Sequence, residues 1–202
     1  MASSSSSSIM ADASKFDVFL SFRGEDTRYN FTDHLYKRLM TAGIFTFRDE
    51  EDIKRGEEVK PEIEKAIKES KASIVVLSQN YATSTWCLDE LVLILQKRKE
   101  GNHFVLPVFY HVDPSNVGKQ NKTFALQVKE SSLRWTDQNV KLWKEALMEV
   151  AGLAGEVLSR LKNNPFLNQR HNHLRHLLQL ASLPIISGHF CKSPQRKRKE
   201  KK

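Results

Sequence analysis

The sequence predicts an α/β fold: a doubly wound parallel sheet with helices on both faces. Three observations carry this. Short apolar runs at Asp17–Phe22, Ile44–Phe47, Ala72–Leu77 and His103–Tyr110 alternate with stretches whose apolar residues recur at helical spacing. The runs are nearly unbroken, as strands covered on both faces require. Polar segments follow three of them, at Arg23–Asp26, Arg48–Glu58 and Gln79–Glu90. In open α/β sheets these are the carboxyl-end connections, where ligands bind.

Taken in order, the chain opens with MASSSSSSIMADAS, a Ser-rich, nearly uncharged stretch read as a disordered leader over residues 1–14. It has neither the charged start nor the apolar centre of a secretory signal. After the first strand, Thr27–Ala42 reads as a helix on Phe31, Leu35 and Leu39, with Gly43 as its stop. The charged segment Arg48–Glu58 is long for a βα connection and fits a functional lid. Val59–Ser70 is predicted helical, with Pro61 tolerated in its first turn.

Ser84 or Thr85 caps the next helix, which runs to about Lys99 on Leu88, Leu91, Val92 and Leu95. The turn Asp113-Pro114-Ser115 leaves the fourth strand, and Thr123–Leu133 and Asp137–Leu158 are read as helical. The alternation implies right-handed βαβ crossovers.

With 202 residues and 40% hydrophobic content, the chain buries one core, placed at residues 15–158. Its net charge of +8 is a property of one end: residues 159–202 hold eleven of the 32 basic side chains and one of the 24 acids. That segment is read as a basic, weakly structured tail, and the remainder is close to neutral. Two distant cysteines, Cys87 and Cys191, set no disulfide framework and favour a reducing compartment. No apolar run approaches the roughly 18 residues of a membrane helix.

DVFLSFRGEDTR, RGEEV, IVVLSQNYATSTWCLDEL and PVFYHVDPSNV, in that order, resemble a plant TIR (Toll/interleukin-1 receptor-like) domain from about Lys15 to Gly155. The resemblance implies a flavodoxin-like, three-layer fold of the kind at the front of intracellular immune receptors, relative to which this chain is truncated. It also implies cleavage of the nicotinamide–ribose bond of NAD(+) or NADP(+) on self-association with other TIR domains. NAD(+) is then substrate rather than resident cofactor, and no metal is required. Some members are described as making cyclic nucleotides from nucleic acid.

Carried over by motif, the catalytic carboxylate falls on Glu90. The nucleotide-contacting turn falls on Arg23, Gly24, Glu25, Asp26, Thr27 and Arg28. The mobile loop falls on Arg48–Glu58 with Gly56 at its permissive position, and Trp86 and Cys87 flank the catalytic helix.

The residues themselves leave room for plainer readings. Glu90 lies about 200° around its helix from Leu88, so periodicity alone makes it a solvated acid. Against that, Trp86 sits one turn away on the same face, and a helix N-terminus favours an ionised carboxylate. A carboxylate is what an oxocarbenium-like ribose needs, and the leaving nicotinamide is already cationic, so one acid suffices. Asp89 is read as a surface acid.

Arg23 and Arg28 suit either surface ion pairs or a pyrophosphate. Cys87 is read as a buried packing residue. His171, His173 and His176 imitate a metal cluster only in spacing. RKRKEKK at 196–202 is either a solubilising end or a patch for nuclear import or nucleic acid, which makes the expected location cytoplasmic with the nucleus as second place.

Two departures from the pattern matter. His34 keeps the self-association position, but Asp33 stands where the family has serine, and a charge costs desolvation in a close-packed contact unless it is paired. After Gly155 the sequence does not align with the family's last strand and helix. Either a substitute helix forms over His171–Ala181, or those elements are missing. Two functions follow: an NAD(P)(+) glycohydrolase in plant innate immune signalling, or a non-catalytic adaptor or decoy that binds full-length TIR receptors. A phosphoacceptor receiver domain is excluded by Val76-Leu77-Ser78, where an aspartate would be needed.

Overall fold

The structure, a computed structural model, describes residues 14–48, 61–101, 103–126 and 136–158. The leader through residue 13, Gly56 with residues 49–60, the Thr123–Leu133 stretch beyond 126, Cys191, the three clustered histidines and the basic tail lie outside them.

Five strands form one sheet: β1 (Phe16–Phe22), β2 (Thr46–Arg48), β3 (Ser70–Leu77), β4 (Phe104–Tyr110) and β5 (Glu156–Leu158). Their order is β2-β1-β3-β4-β5, and every pairing is parallel. A short helix, α1 (Gly24–Thr27), and a π-helical turn, Arg28–Thr32, precede α2 (Asp33–Thr41). The remaining helices are α3 (Pro61–Lys68), α4 (Thr85–Glu100), α5 (Pro114–Gly118) and α6 (Asp137–Ala151).

Alternation along the strands builds two cores. Val18, Leu20 and Phe22 of β1 and Ala72, Ile74 and Val76 of β3 meet Leu35 and Leu39 of α2 on one face. Phe19, Val75, Leu77, Val105 and Phe109 meet α3, α4 and α6 on the other, through Ile63, Ile67, Leu88, Leu91, Trp143 and Leu147. The crossover helices therefore change face between β1 and β3. That is the topological switch point of the sheet, beyond whose strand ends folds of this class place their ligands.

Three expectations need correction. The fifth strand is present: β5 pairs with β4 from Val108↔Glu156 to Tyr110↔Leu158. The helix read over Asp137–Leu158 ends at Ala151, because Gly152–Gly155 breaks it and releases β5. Gly155 is required there, since an added Cβ would stand 2.5 Å from the Pro107 carbonyl oxygen and 2.6 Å from its ring. Finally, the single helix over Thr27–Ala42 is three pieces, with the buried hydroxyls of Thr27 and Thr32 bonded across the π turn at 2.8 Å.

Candidate functional site

The switch point is closed over by hydrogen bonds that cross it. Asp26, in the turn after β1, accepts from the Ser78 hydroxyl (2.6 Å), the Asn80 backbone N–H (2.9 Å) and the Asn80 side-chain amide (3.1 Å). Both of its oxygens thus hold the β1 and β3 connections together. Arg23 lies against Glu25 (2.5 Å) and at 4.0 Å from Asp26, with its side chain only 11% exposed. Gly24 keeps space for Arg28, whose guanidinium would meet an added Cβ at 3.0 Å and which sits 5.3 Å above the Phe22 ring. Glu25 is exposed, whereas Thr27 is fully buried and belongs to the packing of the turn.

Beneath this turn lies a buried polar cluster. Ser84 caps α4 by accepting from the Cys87 N–H, which fixes the first turn carrying Trp86, Cys87 and Glu90. Glu90 is 4% exposed. The Ser21 hydroxyl donates to Oε2 at 2.6 Å and the Trp86 indole Nε1–H to Oε1 at 2.8 Å. Ser21 lies 2.9 Å from the Tyr81 hydroxyl, which donates to the Cys87 carbonyl at 2.9 Å. The Cys87 thiol reaches the Phe22 carbonyl at 3.6 Å.

Glu90 is therefore no solvated acid. The helix it occupies packs against β1, β4, α3 and α6, so its buried arc is far wider than the Leu88–Leu95 stripe suggests. Asp89 also departs from its surface reading: it is partly buried and accepts from the Trp143 indole at 2.7 Å. Burial first, then the neighbouring Glu90, pushes the Cys87 thiol up to about 12, so it carries no thiolate chemistry at neutral pH. The same two influences, with Cys87 between them, hold Tyr81 well above its ordinary value and keep its hydroxyl a donor.

The structure gathers Arg23, Gly24, Asp26, Arg28, Trp86 and Glu90 at one end of the sheet. It adds Ser21, Ser78, Asn80 and Tyr81, none of which was assigned to the site from sequence. One signal was available: Ser21 is the polar residue inside the apolar run DVFLSF.

The two positions read for self-association, Asp33 and His34, lie on α2. His34 is exposed. Asp33 bonds Lys37 at 2.7 Å and Arg48 at 3.1 Å, and Arg48 also lies 4.4 Å over the Tyr36 ring. The Lys37 hydrogen bond, with that of Arg48 behind it, holds the Asp33 carboxyl below the usual range. Among the described residues, no group of histidine, cysteine and acidic side chains could hold a metal, and no helix is long and apolar enough to cross a membrane.

A five-stranded parallel sheet of this order is common to several families, and the family profile decides among them: the TIR domain profile matches residues 15–198, and the chain belongs to that family. Its relatives are plant disease resistance proteins. It is 52% identical over 153 residues to disease resistance protein RPV1 of Vitis rotundifolia, covering 76% of this chain and 11% of that protein. It is 46% identical over 166 residues to TMV resistance protein N of Nicotiana glutinosa, covering 81% of this chain and 14% of the relative. The chain thus spans only a small part of these relatives' length. Among solved structures, the TIR domains of the activated Roq1 resistosome, which directly recognizes the pathogen effector XopQ, superpose with a TM-score of 0.70 at 43% identity. That match covers 82% of this chain and 98% of the other.

Proposed function

We propose that this TIR domain hydrolyses the nicotinamide–ribose bond of NAD(+) or NADP(+) in plant innate immune signalling, with Glu90 as the carboxylate that faces the ribose and self-association as the trigger. The observation that carries the reading is Glu90 itself, an acid buried at the switch point with a hydrogen-bond donor on each oxygen. A buried acid costs desolvation that its hydrogen bonds must offset, and such groups cluster at functional sites.

The chemistry asks little else of the protein. As the C1′–N bond breaks, its electron pair goes to the pyridinium ring and nicotinamide departs neutral. Positive charge then gathers on the ribose ring, where a fixed carboxylate in a water-poor site is worth most. Water adds at C1′ and releases one proton. Arg23 and Arg28, in and after the turn that follows β1, have the charge and planar shape that suit a pyrophosphate. In the present state Trp86 and Ser21 shield Glu90, which agrees with a site that opens only on association. The role belongs in the cytoplasm, with the basic RKRKEKK end available for nuclear import or nucleic acid.

Nicotinamide release from NAD(+), followed by chromatography across a range of protein concentrations, tests this directly. Wild-type rate should rise faster than concentration, and Glu90→Gln should lower it by about 100-fold or more while far-UV circular dichroism stays unchanged. An unaltered rate in that variant removes Glu90 from the mechanism.

A second reading, a non-catalytic adaptor or decoy for full-length TIR receptors, draws on the seclusion of Glu90. It requires no turnover at any concentration together with capture of an intact TIR domain.

A further inference from the structure

Residue 21 is where β1 departs from its own pattern. Its side chain points to the face that carries Phe19, against α4, at a position with no solvent exposure. Packing alone is satisfied by alanine. A hydroxyl there is unfavourable unless it is fully bonded. The structure bonds it on both sides, to Glu90 Oε2 at 2.6 Å and to the Tyr81 hydroxyl at 2.9 Å. The first distance is in the range of a hydroxyl donating to an ionised oxygen.

The directions of these bonds follow from the protons available. Ser21 has one proton and can donate once. Tyr81, buried without exposure and held protonated, is a permanent donor whose proton is shared between the Cys87 carbonyl and the Ser21 oxygen. With Tyr81 occupying the acceptor side of Ser21, the serine proton is turned toward Glu90. Trp86 fixes the other oxygen from α4 itself, one helical turn away. The carboxylate plane is thus set from two elements, β1 and α4, and not by its own helix alone.

We propose that Ser21 is a positioning residue for Glu90, and that Tyr81 acts through it by fixing the direction of the serine hydroxyl. This deepens the glycohydrolase reading and rests on it for its catalytic consequence. A freely turning Oγ–H, or none, takes the Ser21 bond from Oε2, and the carboxylate then gains freedom about its terminal bond and loosens the Trp86 contact.

The test reads the Trp86 indole N–H by proton–nitrogen correlation in the full chain, which has three tryptophans; the Trp86→Phe variant assigns the peak. Ser21→Ala should shift that resonance upfield and speed its solvent exchange. Tyr81→Phe, which keeps the ring, should do the same to a smaller extent. The double variant should match Ser21→Ala alone, because Tyr81 has nothing left to act through. Ser21→Thr, which restores a hydroxyl, should return the resonance toward wild type.

In turnover, Ser21→Ala should lower kcat about tenfold with KM unchanged, and Tyr81→Phe about threefold. An unmoved indole resonance in folded Ser21→Ala, or additive effects of the two substitutions, overturns the proposal. Should Ser21→Ala not fold, the shift or its absence in Tyr81→Phe decides. If the wild-type protein releases no nicotinamide, the glycohydrolase reading falls, while the resonance still decides the role of Ser21.

Discussion

Replacing Asp26 with alanine removes the bracket that ties the β1 turn to the β3 connection. Three hydrogen bonds are lost, from Ser78 Oγ, Asn80 N and Asn80 Nδ2. Bonds to a charged group contribute about 1.5–3 kcal/mol each where water is excluded. Asp26 is 13% exposed, and its partners sit in one loop and are lost together, so the contributions do not sum. Part of the loss is also recovered by water, which reaches the vacated amides.

The net destabilisation should be about 2–3 kcal/mol. For a domain of this size that corresponds to a fall in Tm of roughly 5–10 °C, and to a lower urea midpoint with an unchanged slope. Differential scanning calorimetry and urea titration followed by tryptophan emission measure both. A change below about 0.5 kcal/mol, the range of ordinary surface substitutions, would refute the reasoning and leave Asp26 free for substrate.

Two further outcomes can be measured on the same protein. Gly155→Ala places a methyl against Pro107 and Phe109, so it should cost about 2 kcal/mol and unseat β5; the His111 amide, which donates to Leu158 at 2.8 Å, should lose protection in hydrogen exchange. His103 is buried, accepts from the Ser73 hydroxyl, and donates to the Ser70 carbonyl. Burial and then the Lys97 charge push it down to about 4, below the ordinary 6.5. The unfolded chain therefore binds more protons between those values, so stability is full above pH 6.5 and falls as pH drops toward 4. The total should reach about 3 kcal/mol. His103→Gln should flatten that part of the curve.

The fold was legible where the sequence signal is local. Strands β1, β3 and β4 are near-continuous apolar runs, and α4 announces its start through Ser84. What escaped was set by distant partners. Glu90 looks solvated from its own helix because the groups that make its burial tolerable come from Ser21, 69 residues earlier in the chain, and from a helix with neighbours on several sides. The pairing of Asp33 with Lys37 follows the i, i+4 spacing of one helix, whereas its Arg48 partner lies beyond the end of α2. The strand β5 hid behind the helical reading of Asp137–Leu158. There the informative residue was Gly155, whose requirement depends on how closely Pro107 approaches.

The fixing of α4 at both ends bears on how the site opens. At its start Ser84 caps it, while Tyr81 and the Cys87 thiol fasten its first turn to the neighbouring segments. Near its finish the Lys97 ammonium draws in the carbonyls of Ile67, Lys68 and Ser70, and in its second turn Trp143 grips Asp89. A rod pinned at three places along its length neither slides nor tilts without breaking several bonds at once. On the role proposed for Glu90, the freedom that would admit a ligand to it lies in torsions of single side chains, with the Trp86 ring foremost. Access of that kind responds to the shape and pressure of whatever lies over the indole, so a neighbouring surface could set it without any movement of the sheet.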